Sequence, residues 1–345
     1  MFDYSFIILL TLLNIIFLIK FKKISQFIGL FDHPDYKRKI HNKKISCIGG
    51  VLIFMNITIL LVFDIFFSKE LISKNYFEVE IFSLIYFYIS LIMIFMMGLY
   101  DDKYGLKPNM KILILFLIIL ILLILDKNLR LSYLRFSFNQ EVYGLQNFSI
   151  FFTMLCVLVF INAFNMYDGS NLQASSISIV IFSYLLTHLL ILQSYIDYFL
   201  LTITISLIFF SFLNFKNRLF LGDNGSLVLS FVISYIFIKL YNKEIVFYVE
   251  QVCLLLLLPV IDLLRLFIVR LLNGKNPFKP DNNHLHHMLI KKFNIYPTKL
   301  ILFCVYFIPV FLGLFTEKYL LFIILQIVIY FLLYTNLKKK KDYVR

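Results

Sequence analysis

Two adjacent carboxylates, Asp101-Asp102, close an apolar stretch and are followed by Lys103, Gly105 and Lys111. Like-charge repulsion and partial desolvation make such a pair costly. An acid at a helix C-terminus also opposes the helix dipole. Two readings stand: a solvated helix end, or a pair held by a compensating cation, either Mg²⁺ or a basic side chain. Asp223 sits between Gly222 and Gly225, just before an apolar span beginning at Ser226. Hard cations take carboxylate and phosphate oxygens, glycine permits close backbone approach, and a helix N-terminus is an anion site. That combination suits a Mg²⁺–diphosphate complex; a plain Asp-Gly turn is the simpler alternative. Asn165 and Asp168 end one apolar stretch and Asn171 opens the next. Amide, carboxylate and amide suit a nucleobase or ribose edge, or hydrogen bonding between helices. His284, His286 and His287 follow Arg270, Lys275 and Lys279. The HxHH pattern lacks zinc-ligand spacing and has no cysteine nearby. It reads as a donor set for phosphate oxygens, with a metal-bound cluster as the alternative. The basic run 37–44, which includes Lys43, reads as topogenic charge and headgroup contact, and as a guide for anionic substrates.

The elements that must position these residues follow from composition. The chain has 345 residues, 61% hydrophobic and only 15% charged, with mean hydropathy +0.88. Soluble domains run at roughly 45–50% apolar and about 25% charged, so this is an integral membrane protein. A disordered chain, a disulfide scaffold and a secreted soluble enzyme are excluded. Cys47, Cys156, Cys253 and Cys304 are far apart without a CxxC and are expected to be buried thiols. The expected fold class is all-α, a polytopic bundle of about eleven transmembrane helices in a single domain over 1–345. Spans are expected near 4–20, 49–67, 81–100, 111–126, 148–167, 172–193, 197–214, 226–242, 245–270, 299–315 and 319–336. No alternating strand pattern marks an outer-membrane barrel, and the start of the chain lacks the charge and cleavage site of a signal peptide.

Net charge is +13, but its placement matters more than its sum, and no nucleic-acid partner is expected. With the N-terminus outside and the C-terminus inside, 25 Lys and Arg fall on the inner side and 8 on the outer. That is the positive-inside pattern. All five polar clusters then fall on the inner side, as an active site open to the cytoplasm requires. A transporter would instead place ionisable groups near mid-membrane. A lipid-diphosphate phosphatase would share Mg²⁺ and carboxylates but need no nucleotide pocket.

Taken together and in order, the clusters from about 29 to 290 resemble the polyprenyl-phosphate N-acetylhexosamine-1-phosphate transferases of glycosyltransferase family 4. They include Gly98-Leu99-Tyr100-Asp101-Asp102, Asn165 to Asn171, Phe220-Leu221-Gly222-Asp223-Asn224-Gly225-Ser226 and His284-Leu285-His286-His287. The resemblance implies transfer of a sugar-1-phosphate from a UDP-HexNAc to a polyprenyl (undecaprenyl) phosphate, with UMP released. It implies Mg²⁺, with Mn²⁺ as a substitute, and a multi-pass protein of the bacterial cytoplasmic membrane, with a homodimer left open. Asp101 and Asp102 match the pair that positions or deprotonates the lipid phosphate, and Asp223 matches the Mg²⁺ carboxylate. Asn165, Asp168 and Asn171 match nucleotide positions. Arg270, His284, His286 and His287 match the diphosphate and sugar region, and Lys43 belongs with substrate binding. Asn171 and Asn282 stand where relatives carry Asp and Arg, and Ser230 stands near a missing glycine. The last loop is closer to the initiators of surface polysaccharides, such as O-antigen, than to the alternative, the phospho-MurNAc-pentapeptide transferase of peptidoglycan synthesis.

Overall fold

The computed structural model of the protein describes residues 2–34, 44–68, 81–193, 197–276 and 283–342. Lys43 and the stretch 277–282, with Lys279 and Asn282, lie outside the described residues. Twelve helices run through the described chain: α1 (Phe2–Ile28), α2 (Gly49–Phe63), α3 (Ile81–Tyr104), α4 (Pro108–Leu125), α5 (Ser149–Tyr167), α6 (Gln173–Gln193), α7 (Tyr198–Phe215), α8 (Gly222–Asn242), α9 (Val249–Leu272), α10 (Leu285–Phe293), α11 (Ile295–Thr316) and α12 (Tyr319–Asp342). All but α10 belong to segments long and apolar enough to cross a bilayer, giving eleven candidate spans. Strand content among the described residues is two short antiparallel ribbons, β1 (Phe31–Asp32) with β2 (Ile45–Ser46) and β3 (Tyr133–Arg135) with β4 (Val142–Gly144).

α8 is the axis of the bundle. Its apolar window is wholly buried, and it packs against α3, α5 and α2. The outer helices carry the opposite pattern: Ile19, Phe27 and Phe315 are 74%, 93% and 74% exposed. Large apolar side chains facing outward are what a hydrocarbon solvent favours. The same solvent corrects the expectation of buried cysteines. Cys47 is buried, but Cys156 and Cys253 are exposed on their helices, because a thiol behaves as a small apolar group.

Close helix contact at one end of the bundle depends on glycine. A Cβ on Gly50 would stand 2.0 Å from Asn224 Oδ1 and 2.3 Å from the Gly225 nitrogen; one on Gly98 would stand 2.4 Å from the Asn224 Cα. Gly49 and Gly50 also donate their N–H groups to the carbonyls of Phe220 and Leu221, each at 3.0 Å. Gly50→Ala is therefore expected to destabilise the protein. Alanine gains up to about 1 kcal/mol of helix propensity, but overlap with another helix's backbone costs roughly 1–3 kcal/mol or more. A lower unfolding temperature in detergent checks this; an unchanged or higher one contradicts the packing.

Candidate active site

The described residues of the polar clusters, among them Ser46, Asp102, Asn165, Asp223 and His286, meet at one end of the bundle. β2 and the Leu219–Leu221 stretch are joined by a parallel bridge from Ser46 to Leu219 and by Phe220 N–H donating to the Ser46 carbonyl at 2.8 Å. This links the first cluster to the fourth. Asp102 links the second to the fourth: it accepts hydrogen bonds from the backbone N–H of Asp223 at 2.8 Å and of Asn224 at 2.9 Å. The Asn224 side-chain amide donates to it as well, and to the Cys47 carbonyl at 2.9 Å.

Here the structure changes two expectations. α8 begins at Gly222, four residues before the expected Ser226, so Asp223 and Asn224 lie in its first turn. The anion at that N-terminus is Asp102 itself. The two adverse placements cancel: a carboxylate at the C-terminal end of α3 meets the positive end of α8. No cation is needed to explain Asp102. Gly222 makes this approach possible, since it adopts φ +75 and a Cβ there would stand 2.8 Å from Asp102 Oδ2.

Asp101 has a basic partner. Lys111, in the first turn of α4 after Pro108, places Nζ 2.8 Å from Asp101 Oδ2 and 3.0 Å from Asp223 Oδ2. It also donates to Asn165 Oδ1 at 3.1 Å. The Asn165 amide donates in turn to Asp223 Oδ1 at 2.6 Å and to Ser226 Oγ at 2.7 Å. One ammonium group on α4 therefore gathers two carboxylates and an amide from three other helices. The Asp223 side chain is 36% exposed, against 9% for Asp101 and 12% for Lys111. Of the three it is the group a ligand can reach.

Asp168 follows the end of α5 and is half-buried. Burial first, then the charges of Asp223 and Asp102, hold its carboxyl well above the usual carboxylate range. His286 approaches the same loop from α10. Its Nδ1 lies 3.4 Å from the Gln173 amide nitrogen, and the Gln173 oxygen is engaged by Ser170 Oγ at 2.8 Å. An amide N–H can only donate, so Nδ1 accepts and the ring proton sits on Nε2. Burial, then the neighbouring His287 and His284, push its pKa well below the usual histidine range. His286 Nε2 is buried, lacks a hydrogen-bond partner among the described residues and stands against Gly169, where a Cβ would sit 2.2 Å away.

The remaining expected residues divide. His284 is buried, and its Nδ1 is 2.8 Å from Asp262 Oδ2. Asp262 also pairs with Arg265 at 2.9 Å and accepts from Tyr330 at 2.6 Å. That ion pair anchors the start of α10, with His284 stacked at 5.4 Å from His286 and His286 at 4.1 Å from His287. Asn171 spends its amide on the end of α7, donating to the Asn214 carbonyl at 2.8 Å and to Asn217. Arg270 is buried near the end of α9. Lys111, Asn224, Ser226 and Gln173 carry geometry that the sequence reading gave no role.

Asp102→Asn is expected to lower function far more than Asp64→Asn. Asn would turn an N–H₂ toward donors that now meet carboxylate oxygen and would remove the charge facing the α8 dipole. Together these cost about 2–3 kcal/mol, or roughly thirty- to 160-fold in an equilibrium or rate. Asp64 lies beyond the far end of α2, about 22 Å along the helix from Gly49. Initial transfer rates of the two purified variants check this; equal losses would contradict the site.

A membrane-embedded bundle with carboxylates, amides and histidines gathered at one end defines a polytopic membrane enzyme acting on polar, oxygen-rich groups at the bilayer surface. The family model described as glycosyl transferase family 4 matches residues 84–241, which include Asp101, Asp102, Lys111, Asn165, Asp168 and Asp223. Over those residues the chain is similar to this family. It is 27% identical over 274 residues to a probable undecaprenyl-phosphate N-acetylglucosaminyl 1-phosphate transferase of Bacillus subtilis (strain 168), covering 78% of this chain and 72% of that protein. It is 24% identical over 299 residues to the undecaprenyl-phosphate alpha-N-acetylglucosaminyl 1-phosphate transferase of Escherichia coli (strain K12), covering 83% and 76%. The Salmonella typhi protein of the same name aligns over 301 residues at 24% identity, covering 83% and 76%.

Proposed function

We propose that the protein transfers a HexNAc-1-phosphate from a UDP-linked amino sugar to undecaprenyl phosphate, releasing UMP and initiating a cell-surface polysaccharide. The observation that carries this reading is the convergence of Asp101, Asp223 and Asn165 on Lys111 at the bundle end where Asp102 caps α8. The similarity to the named transferases over about four-fifths of the chain supports it. The 25 to 8 distribution of basic residues supports a cytoplasmic face for that end and a place in the bacterial inner membrane.

Among the described residues no three His, Cys, Asp or Glu side chains form a metal-ligand set. The donors around Lys111 are nonetheless all oxygens, two carboxylates and an amide carbonyl, and already surround a cation. That chemistry fits a hard divalent ion. Asp223, with Asp101 and Asn165, would hold Mg²⁺, which when bound would neutralise charge on the donor diphosphate.

The chain's own residues do the rest. Both reactants are anions, and Lys111 lowers the repulsion each meets at the carboxylates. Asp102 is a positioning residue, fixing the first turn of α8 and so the direction of Asp223. Burial and the charges of Asp223 and Asp102 favour the neutral carboxyl of Asp168, and His286 holds a spare Nε2–H; both groups suit nucleotide or diphosphate oxygens. Asp101 is a candidate base, though a phosphate oxygen is already nucleophilic. The acceptor's tail explains the membrane bundle, since its phosphate lies at headgroup level. The test is a detergent assay with radiolabelled UDP-HexNAc donors, undecaprenyl phosphate and Mg²⁺. Lipid-extractable label with stoichiometric UMP is expected; release of inorganic phosphate without lipid label would overturn the reading.

A further inference from the structure

α12 lies outside residues 84–241, which the family model matches, and carries none of the five polar clusters. It packs against α9, α10 and α11. Gln326, Tyr330 and Tyr334 stand at four-residue spacing along it and so share one face. Gln326 is buried, and its amide donates to the Val305 carbonyl at 3.4 Å. Pro309, four residues further along α11, has no N–H to offer that carbonyl. Tyr334 lays its ring 4.5 Å from the Arg265 guanidinium. Between the two, Tyr330 is wholly buried. Its hydroxyl donates to Asp262 Oδ1 at 2.6 Å and accepts from Arg265 Nε at 2.6 Å.

Asp262 carries this contact toward the site. Its Oδ2 accepts from His284 Nδ1 at 2.8 Å, and its Oδ1 from the Leu285 backbone N–H at 3.3 Å. Leu285 opens α10, and the His284 side chain does not cap that helix. Asp262 therefore supplies the anion at the α10 N-terminus from another helix, as Asp102 does for α8. Arg265 adds a second tie, its Nη2 donating to the Asn283 carbonyl at 2.8 Å. The pair thus grips both residues before α10 and the first N–H within it. His286 is the second residue of that helix, so the placing of its Nε2 against Gly169 follows from how Asp262 and Arg265 are held. Without the Tyr330 hydroxyl, the carboxylate loses a donor and Nε its acceptor in a dry setting, and both side chains must reorient.

We propose that Tyr330 is a positioning residue for transfer: through Asp262 and Arg265 it holds α10 where His286 faces the donor diphosphate. This role rests on the transfer reading of the site. Full-length wild type, Tyr330→Phe, His286→Ala and the double variant are assayed in detergent with UDP-GlcNAc, undecaprenyl phosphate and Mg²⁺. Tyr330→Phe is expected to lower kcat/KM for UDP-GlcNAc about tenfold, with the KM for undecaprenyl phosphate changed less than about twofold. In the His286→Ala background the same substitution should cost less than about twofold, because the group it positions is gone. Amide hydrogen exchange of the same proteins reads the link without any turnover. Peptides covering 284–293 should exchange about tenfold faster in Tyr330→Phe, and those covering α8 at the wild-type rate. Tyr334→Leu, which withdraws only a ring from Arg265, should move both readouts the same way by about threefold; it serves where Tyr330→Phe does not accumulate as folded protein. Equal losses of kcat/KM in the two backgrounds, or unchanged exchange over 284–293, overturn the proposal. A wild type that yields no lipid-extractable label fails the transfer reading instead, and exchange alone then decides whether Tyr330 holds α10.

Discussion

Asp223→Asn is expected to abolish transfer while leaving the protein folded. The substitution keeps the shape of the side chain and one oxygen that can still accept from Asn165, now at 2.6 Å. It leaves the backbone N–H of residue 223 free to donate to Asp102, as it does at 2.8 Å. The first turn of α8 should therefore persist. What disappears is the negative charge of the most accessible carboxylate in the site, 36% exposed where Asp101 is 9%. A preorganised charged group in such a site contributes about two to three orders of magnitude in rate, and loss of a bound metal costs more. Turnover should thus fall by at least about a thousandfold, with an unfolding temperature close to wild type. Near-normal turnover at ordinary Mg²⁺ would remove Asp223 from its proposed role. A large drop in thermal stability would instead show that its negative charge is needed to keep Lys111 and Asn165 in place.

The features legible in the sequence are those set by local pattern and by solvent. Eleven apolar stretches of bilayer length become eleven candidate spans because each must satisfy its own backbone hydrogen bonds in hydrocarbon. Asp101, Asp102, Asn165, Asp168, Asp223 and His286 were each recognisable as polar groups at span ends, and they do meet. The choice of partner was not legible, because it depends on which helix ends packing brings together. The adverse charge on Asp102 suggested a cation, yet the structure answers it with the N-terminus of α8. Lys111, ten residues after Asp101 in the sequence, becomes its partner only because α4 turns it toward Asp101 and Asp223. His284 and Asn171 looked like ligand-binding groups, but Asp262 engages the Nδ1 of the one and the end of α7 the amide N–H of the other. Nothing local distinguishes a histidine that anchors a helix from one that keeps a spare N–H. The Asp262–Arg265 pair, with its task of holding His284 at the start of α10, becomes visible only in three dimensions.

Lys111→Met should be the second most damaging change, and it separates two roles that a static arrangement merges. Methionine matches the length of the aliphatic stem and removes only the ammonium group. Asp101, Asp223 and Asn165 then lose their common partner, and two carboxylates are left in a partly dry site. Removing one member of a buried charge network costs about 3–5 kcal/mol, so transfer should fall by roughly two to four orders of magnitude. The dependence on Mg²⁺ carries the sharper information. The lysine and a divalent ion compete for the same oxygens, so removing the lysine should tighten the site for Mg²⁺ even as the maximal rate falls. A titration of rate against Mg²⁺ should therefore show a lower half-saturating concentration in Lys111→Met than in wild type. If half-saturation rises instead, Lys111 helps to shape the metal site and does not compete with it. If the maximal rate is untouched, the ammonium is merely a structural clasp, and Asp101 and Asp223 must act independently of it.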